Sequence, residues 1–145
     1  MAILNYTTSI NAGKTVGEIQ QMLANAGAQS VSIEYDDEAM PSALTFTITF
    51  LGKPMPFKVP CNSEGVYQSL CRSSKVPKSQ KTIAQARRVA WRIIKDWTEA
   101  QLAIVESQQA QMAEAFMPYA LDASTGQTMF ERFTESTQKQ LTAGA

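Results

Sequence analysis

Eight of the chain's thirteen basic residues stand between Arg72 and Lys95, and no Asp or Glu occurs from Gly65 to Lys95. They are Arg72, Lys75, Lys78, Lys81, Arg87, Arg88, Arg92 and Lys95. Guanidinium and ammonium groups with no carboxylate among them are donors without acceptors, the chemistry that holds phosphate. At helical spacing Arg88, Arg92 and Lys95 share a polar face, while Arg87 lies toward the apolar side, one turn before Trp91. Arg87 is placed to stack on that indole. Arg88 and Arg92 repel at i,i+4, and Lys78, Lys81, Arg87 and Arg88 crowd the positive end of the helix dipole. A bound anion offsets both costs. The ligand-binding candidates are therefore Arg87, Arg88, Arg92, Lys95 and Trp91, with Lys58 and Lys53 added from a neighbouring hairpin. The competing reading is a solvated face in which Arg92–Asp96 and Lys95–Glu99 pair at i,i+4.

Other chemistries have less to stand on. The sequence contains no histidine, which removes the commonest general base and metal ligand. Cys61 and Cys71 are the only cysteines, and two isolated thiols read as small apolar residues rather than a metal pair or a disulfide. No enzyme, metal site or cofactor is expected. The segment Asn11-Ala12-Gly13-Lys14-Thr15 matches the second half of a phosphate-binding P-loop, but Thr8 stands where that motif needs its first glycine. Thr15-Val16-Gly17-Glu18 instead reads as a capping box opening a helix.

The elements that would position the cations follow from periodicity. Leu4, Tyr6, Thr8 and Ile10 alternate as a first strand, and Val16, Ile19, Met22, Leu23 and Ala26 recur at helical spacing until Gly27. Val31–Tyr35, Leu44–Phe50 and Met55–Val59 alternate as an antiparallel meander, with a threonine ladder on one face and Pro54, Pro56 and Pro60 marking the last strand as an edge. The predicted class is α+β, an antiparallel sheet of about four strands in the order β-α-β-β-β. A short helix capped by Asn62 and a long helix follow. Residues 1–133 make a single domain, and 134–145 a flexible tail.

Ser79 to Met117 contains no Gly or Pro. As one helix it would be about 58 Å long, against a domain diameter near 40 Å estimated from chain length. Either it breaks near Gln108, Gln109 and Gln111, or it projects. Its apolar arc exceeds half the circumference, so a second layer must cover it: a symmetry mate in a homo-oligomer, or the preceding helix together with the Met129–Phe133 patch. Charges balance at thirteen each with a sequence pI near 6.3, which excludes a bulk polycation and makes anion affinity local. No membrane span or signal pattern is apparent, so a cytosolic location is the expectation.

Leu4–Thr8, Lys14–Gln20, Gln85–Trp97 and Phe116–Tyr119 resemble an uncharacterised group of small bacteriophage and prophage proteins, a likeness that covers most of the chain. In layout, a sheet followed by long arginine-bearing helices is similar to the phage sponges that sequester nucleotide immune signals (anti-Thoeris and anti-CBASS types). The resemblance implies a non-catalytic counter-defence protein, homo-oligomeric, holding a phosphorylated small molecule. The alternatives are a single-stranded nucleic-acid-binding accessory of phage replication and a protein inhibitor of a host defence factor.

Overall fold

The computed structural model describes residues 1–144 and is α+β. Helix α1 (Ala12–Asn25) leads into strands β1 (Ser30–Tyr35), β2 (Pro41–Phe50) and β3 (Lys53–Pro60). These form a three-stranded antiparallel meander in the order β1-β2-β3. Ile33, Leu44 and Val59 are opposed across it, as are Val31, Phe46 and Phe57, so one face is apolar throughout. Phe46 and Phe57 stack at 5.1 Å, and Phe116 meets Phe46 edge-on at 5.2 Å. Strand β3 is an edge as its prolines require; beside it Leu121 donates its N–H to the Pro56 carbonyl.

The remaining helices are α2 (Ser63–Arg72), α3 (Ile83–Glu106), α4 (Met112–Ala115) and α5 (Met129–Ala143), with 3-10 turns at Lys78–Gln80 and Met117–Tyr119. Helix α3 is the centre of the molecule, with α1 and α2 packed on it. Trp91 sits in the core shared with α1 and the sheet, and Ala86 sits in a smaller cluster with Leu70, Val76, Ile3 and Tyr6. Much of the wide apolar arc of α3 is thus covered within one chain by α1, α2 and the N-terminal segment, while Ile83 and Ile104 stay exposed and Leu102 and Val105 line an open cleft. The Met129–Phe133 patch, expected to share that cover, is exposed.

Four expectations are corrected. Leu4–Ile10 is not a strand: Asn5 has a φ of 66°, Thr8 donates its N–H back to the Asn5 carbonyl, and a turn results. The cap of α1 is Asn11, whose side chain accepts from the Lys14 N–H. Thr15 lies inside the helix, fully buried, and Glu18 is free to pair elsewhere.

The long helix does not run from 79 to 117. It ends at Glu106, where Gln108 takes a φ of 65°. Gln109 donates to the Ile104 carbonyl and Gln108 to that of Val105, the paired bonds of a Schellman stop with Gln in the place glycine usually takes. Breaking there keeps α3 to 24 residues, about 36 Å, which the domain accommodates. Finally, the segment from Thr134, expected as a flexible tail, is helical as far as Ala143. It continues α5, which opens on a capping box between Thr128 and Glu131.

Candidate anion-binding site

Three of the four cations of α3 are already neutralised, each by a different partner. Arg87 reaches the β1–β2 turn, where its guanidinium lies 2.8 Å from Glu38 and 3.8 Å from Asp36. The turn holds its shape because one Asp36 oxygen accepts from the backbone N–H groups of Glu38 and Met40. The Met40 N–H foremost holds the Asp36 carboxyl below its ordinary value; burial opposes it, and the Glu38 N–H and the Arg87 charge add smaller lowering effects. Arg92 turns to α1, 2.9 Å from Glu18 and 3.5 Å from the Thr15 hydroxyl. Lys95 pairs with Glu99 at 3.0 Å, as its spacing predicts.

The expected Arg92–Asp96 pair is absent, because Asp96 instead accepts from the Asn5 side chain at 2.8 Å. Lys58 pairs with Glu34 at 3.1 Å on the outer face of the sheet. Trp91 is 1% exposed and donates its indole N–H to the Pro41 carbonyl at 3.2 Å. It is a core residue and offers no ring to a ligand. The seven sequence candidates therefore do not converge: Arg87, Arg92 and Lys58 point to three separate partners, Trp91 faces inward, and Lys53 stands exposed at the start of β3.

Arg88 is the exception on α3. Its Nε donates to the Gln85 side-chain oxygen at 2.8 Å, and no carboxylate lies within 4.0 Å among the described residues. Gln85 is 2% exposed, and its amide nitrogen donates to the carbonyls of Tyr6 and Thr8 at 2.8 and 2.9 Å. One glutamine thus fastens the N-terminal segment to α3 and orients Arg88.

Most of the unneutralised charge lies earlier, on the connection between α2 and α3; outside it, among the described Lys and Arg side chains, Lys14, Lys53 and Arg88 are the others with no carboxylate within 4.0 Å. Arg72, Lys75, Lys78 and Lys81 have no carboxylate within 4.0 Å among the described residues. Their backbone is held by Val76, which is buried against Leu70 and Ala86. Pro77 then leads into the 3-10 turn, and the Thr82 hydroxyl caps α3 by accepting from the Gln85 N–H. An apolar anchor at the middle of the segment leaves Arg72, Lys75 and Lys78 exposed.

Beside them is an open cleft of about 420 Å³ lined by Met1, Ile3, Ser69, Arg72, Ser73, Ser74 and Lys75. Arg72 donates to the Ser69 hydroxyl at 3.3 Å, so the guanidinium is steered toward that cleft. Three hydroxyls, a guanidinium and an ammonium form a donor-rich wall suited to phosphate oxygens. The cleft lining contains no carboxylate or imidazole that could serve as a general base.

The count of basic residues included Arg72, Lys75, Lys78 and Lys81, but helical projection favoured the arginines of α3 because they share a face. The neutralising residues come from 49 and 74 positions away, and one sequence gives no sign of such pairings. Among the α3 cations local spacing finds the Lys95–Glu99 pair alone: Arg87 has no acid within an i,i+4 step, just as the loop cations have none, and yet it is paired.

Among the described residues no group of Cys, Asp and Glu is placed to hold a metal ion, and no helix is long and apolar enough to cross a membrane. Comparison of the chain with protein-family models, curated proteins and solved structures finds no match.

Proposed function

We propose that the chain is a non-catalytic binding protein for a phosphorylated ligand, held at the α2–α3 connection by Arg72, Lys75, Lys78 and Lys81. One observation carries this reading: these four cations lack carboxylate partners, whereas Arg87, Arg92, Lys95 and Lys58 each have one. A ligand phosphate competes for the loop cations only with water. At α3 it would first have to displace Glu18, Glu38 or Glu99. The serine-lined cleft favours a compact phosphate over an extended polymer, because its hydroxyls and guanidinium converge on a small volume. In the phage setting that the sequence resemblance implies, binding without chemistry serves to sequester a nucleotide signal.

The test is titration calorimetry with a cyclic dinucleotide, ADP-ribose and a single-stranded DNA oligomer. The expected result is saturable binding of a small phosphorylated ligand that is lost in Arg72→Ala/Lys75→Ala and retained in Arg87→Ala. Binding of the oligomer alone, with log affinity falling on log salt at about −0.7 per neutralised phosphate, would instead identify a nucleic-acid-binding protein. No heat with any of the three would sink the proposal.

A further inference from the structure

Helix α5 has 15 residues and not one of them is buried. It packs on the 3-10 turn Met117–Tyr119, yet Phe130, Phe133 and Leu141 stand 61%, 68% and 72% exposed. At 100° per residue these three fall with Met129 and Thr137 on one stripe. A helix of this length is marginal alone in water even when rich in alanine, and this one has four apolar side chains on its open face. Something must cover it.

The same molecule presents a groove with no occupant. Met22 of α1 and Leu102 and Val105 of α3 line an open cleft of about 660 Å³. A second cleft of about 560 Å³ shares Val105 and continues to Met112. The acids along this groove are Glu99, Glu106 and Glu114, and no Lys or Arg lines either part. Glu99 and Glu106 are seven residues apart on α3, two helical turns or about 10 Å. On α5, Arg132 and Lys139 flank the apolar stripe and are also seven apart, so one helix laid in the groove brings both cations level with both acids. In the chain as it stands Arg132, Lys139 and Glu99 are themselves exposed and pair with Asp122, Glu135 and Lys95. Such pairs are worth little and exchange readily.

We propose that α5 of one protomer docks in the α1–α3 groove of a second copy and receives that copy's α5 in return, giving a two-fold dimer. Reciprocity closes the assembly, since each protomer gives one helix and accepts one. It is the helix-in-groove mode of recognition, with Phe130, Phe133 and Leu141 as anchors.

Sedimentation of the full chain at micromolar concentration tests this. The expected species is twice the 15.9 kDa protomer mass. Phe130→Ser/Phe133→Ser should be monomeric and, because both positions are exposed, still folded by circular dichroism. Glu99→Lys/Glu106→Lys should weaken the dimer about tenfold, summed over the exposed pairs it breaks, and adding Arg132→Glu/Lys139→Glu should restore it. A monomeric wild-type chain overturns the proposal. So does a dimer unmoved by the phenylalanine changes, or one that the charge exchange fails to restore.

Discussion

Replacing Gln85 by leucine keeps the volume of the side chain but removes every polar bond it makes. In the native chain its amide nitrogen donates to the Tyr6 and Thr8 carbonyls at 2.8 and 2.9 Å, and its oxygen accepts from Arg88 at 2.8 Å. Arg88 is half-exposed and can turn to water. The two carbonyls face an apolar side chain in the variant and lose their donor. At about 1 to 1.5 kcal/mol for each partly buried carbonyl left unpaired, the loss is about 2 to 3 kcal/mol. For a domain of this length that lowers Tm by about 6 to 12 °C.

Differential scanning calorimetry measures the shift, and amide exchange locates it: protection should fall first in residues 2–10, which lose their tie to α3. Gln85→Glu separates the two roles of the side chain, since it keeps an acceptor for Arg88 but sets a carboxylate against two carbonyls. It should destabilise at least as much as leucine. A Tm within about 2 °C of wild type for Gln85→Leu, below what even one lost bond should cost, would refute the assignment of Gln85 as the tie.

Other outcomes follow from single features. Burial pushes the Cys61 thiol up to about 12 from an ordinary 9.0, while Cys71 is exposed. Iodoacetamide at pH 8 should therefore modify Cys71 first and reach Cys61 only on unfolding, as read by peptide mass spectrometry. Because the folded state keeps the Cys61 proton to higher pH than the unfolded chain does, stability should fall as pH rises from 9 toward 12.

Asp122, Glu131 and Glu135 are all held below their ordinary values. The causes are foremost the Ser124 side chain, the Thr128 backbone N–H and the Gln127 side chain respectively. Depressed carboxylates stabilise the fold above their unfolded values, so α5 should fray as pH falls below the ordinary 3.8 to 4.5 range, visible as lost amide protection before global unfolding. Gln108→Gly should raise Tm by about 2 to 4 °C, since glycine takes the left-handed φ of the α3 stop without the Cβ cost of about 1 kcal/mol.

The parts of the fold legible in the chain were those decided by short-range pattern. Alternation in Val31–Tyr35, Leu44–Phe50 and Met55–Val59 was enough for the meander, and Gly27 for the end of α1. Leu4–Ile10 alternates just as well, yet its Tyr6 and Thr8 carbonyls bond the Gln85 side chain from 79 and 77 residues away instead of a strand. A tertiary partner overrode the local pattern. The break in α3 was signalled by length alone, because Gln108 is not a residue that announces a left-handed turn.

At the candidate site the basic stretch stands out in the sequence as a run of cations without acids, but which of those cations stay unpaired could not be read from it. The reason is electrostatic: Glu18, Glu34, Asp36 and Glu38 come from α1 and the β1–β2 hairpin, and only the fold brings them to Arg92, Lys58 and Arg87. What remains uncompensated is therefore visible only after folding.

If the α2–α3 connection holds phosphate, ligand should perturb that segment and not α3. Amide chemical-shift mapping during titration with inorganic pyrophosphate tests it most directly. The resonances that move with ligand should be those of residues 69–82; they should stop moving in Arg72→Ala/Lys75→Ala, and Arg92→Ala should leave them unchanged. Shifts centred on residues 87–95, abolished by Arg92→Ala and indifferent to the loop substitutions, would contradict it.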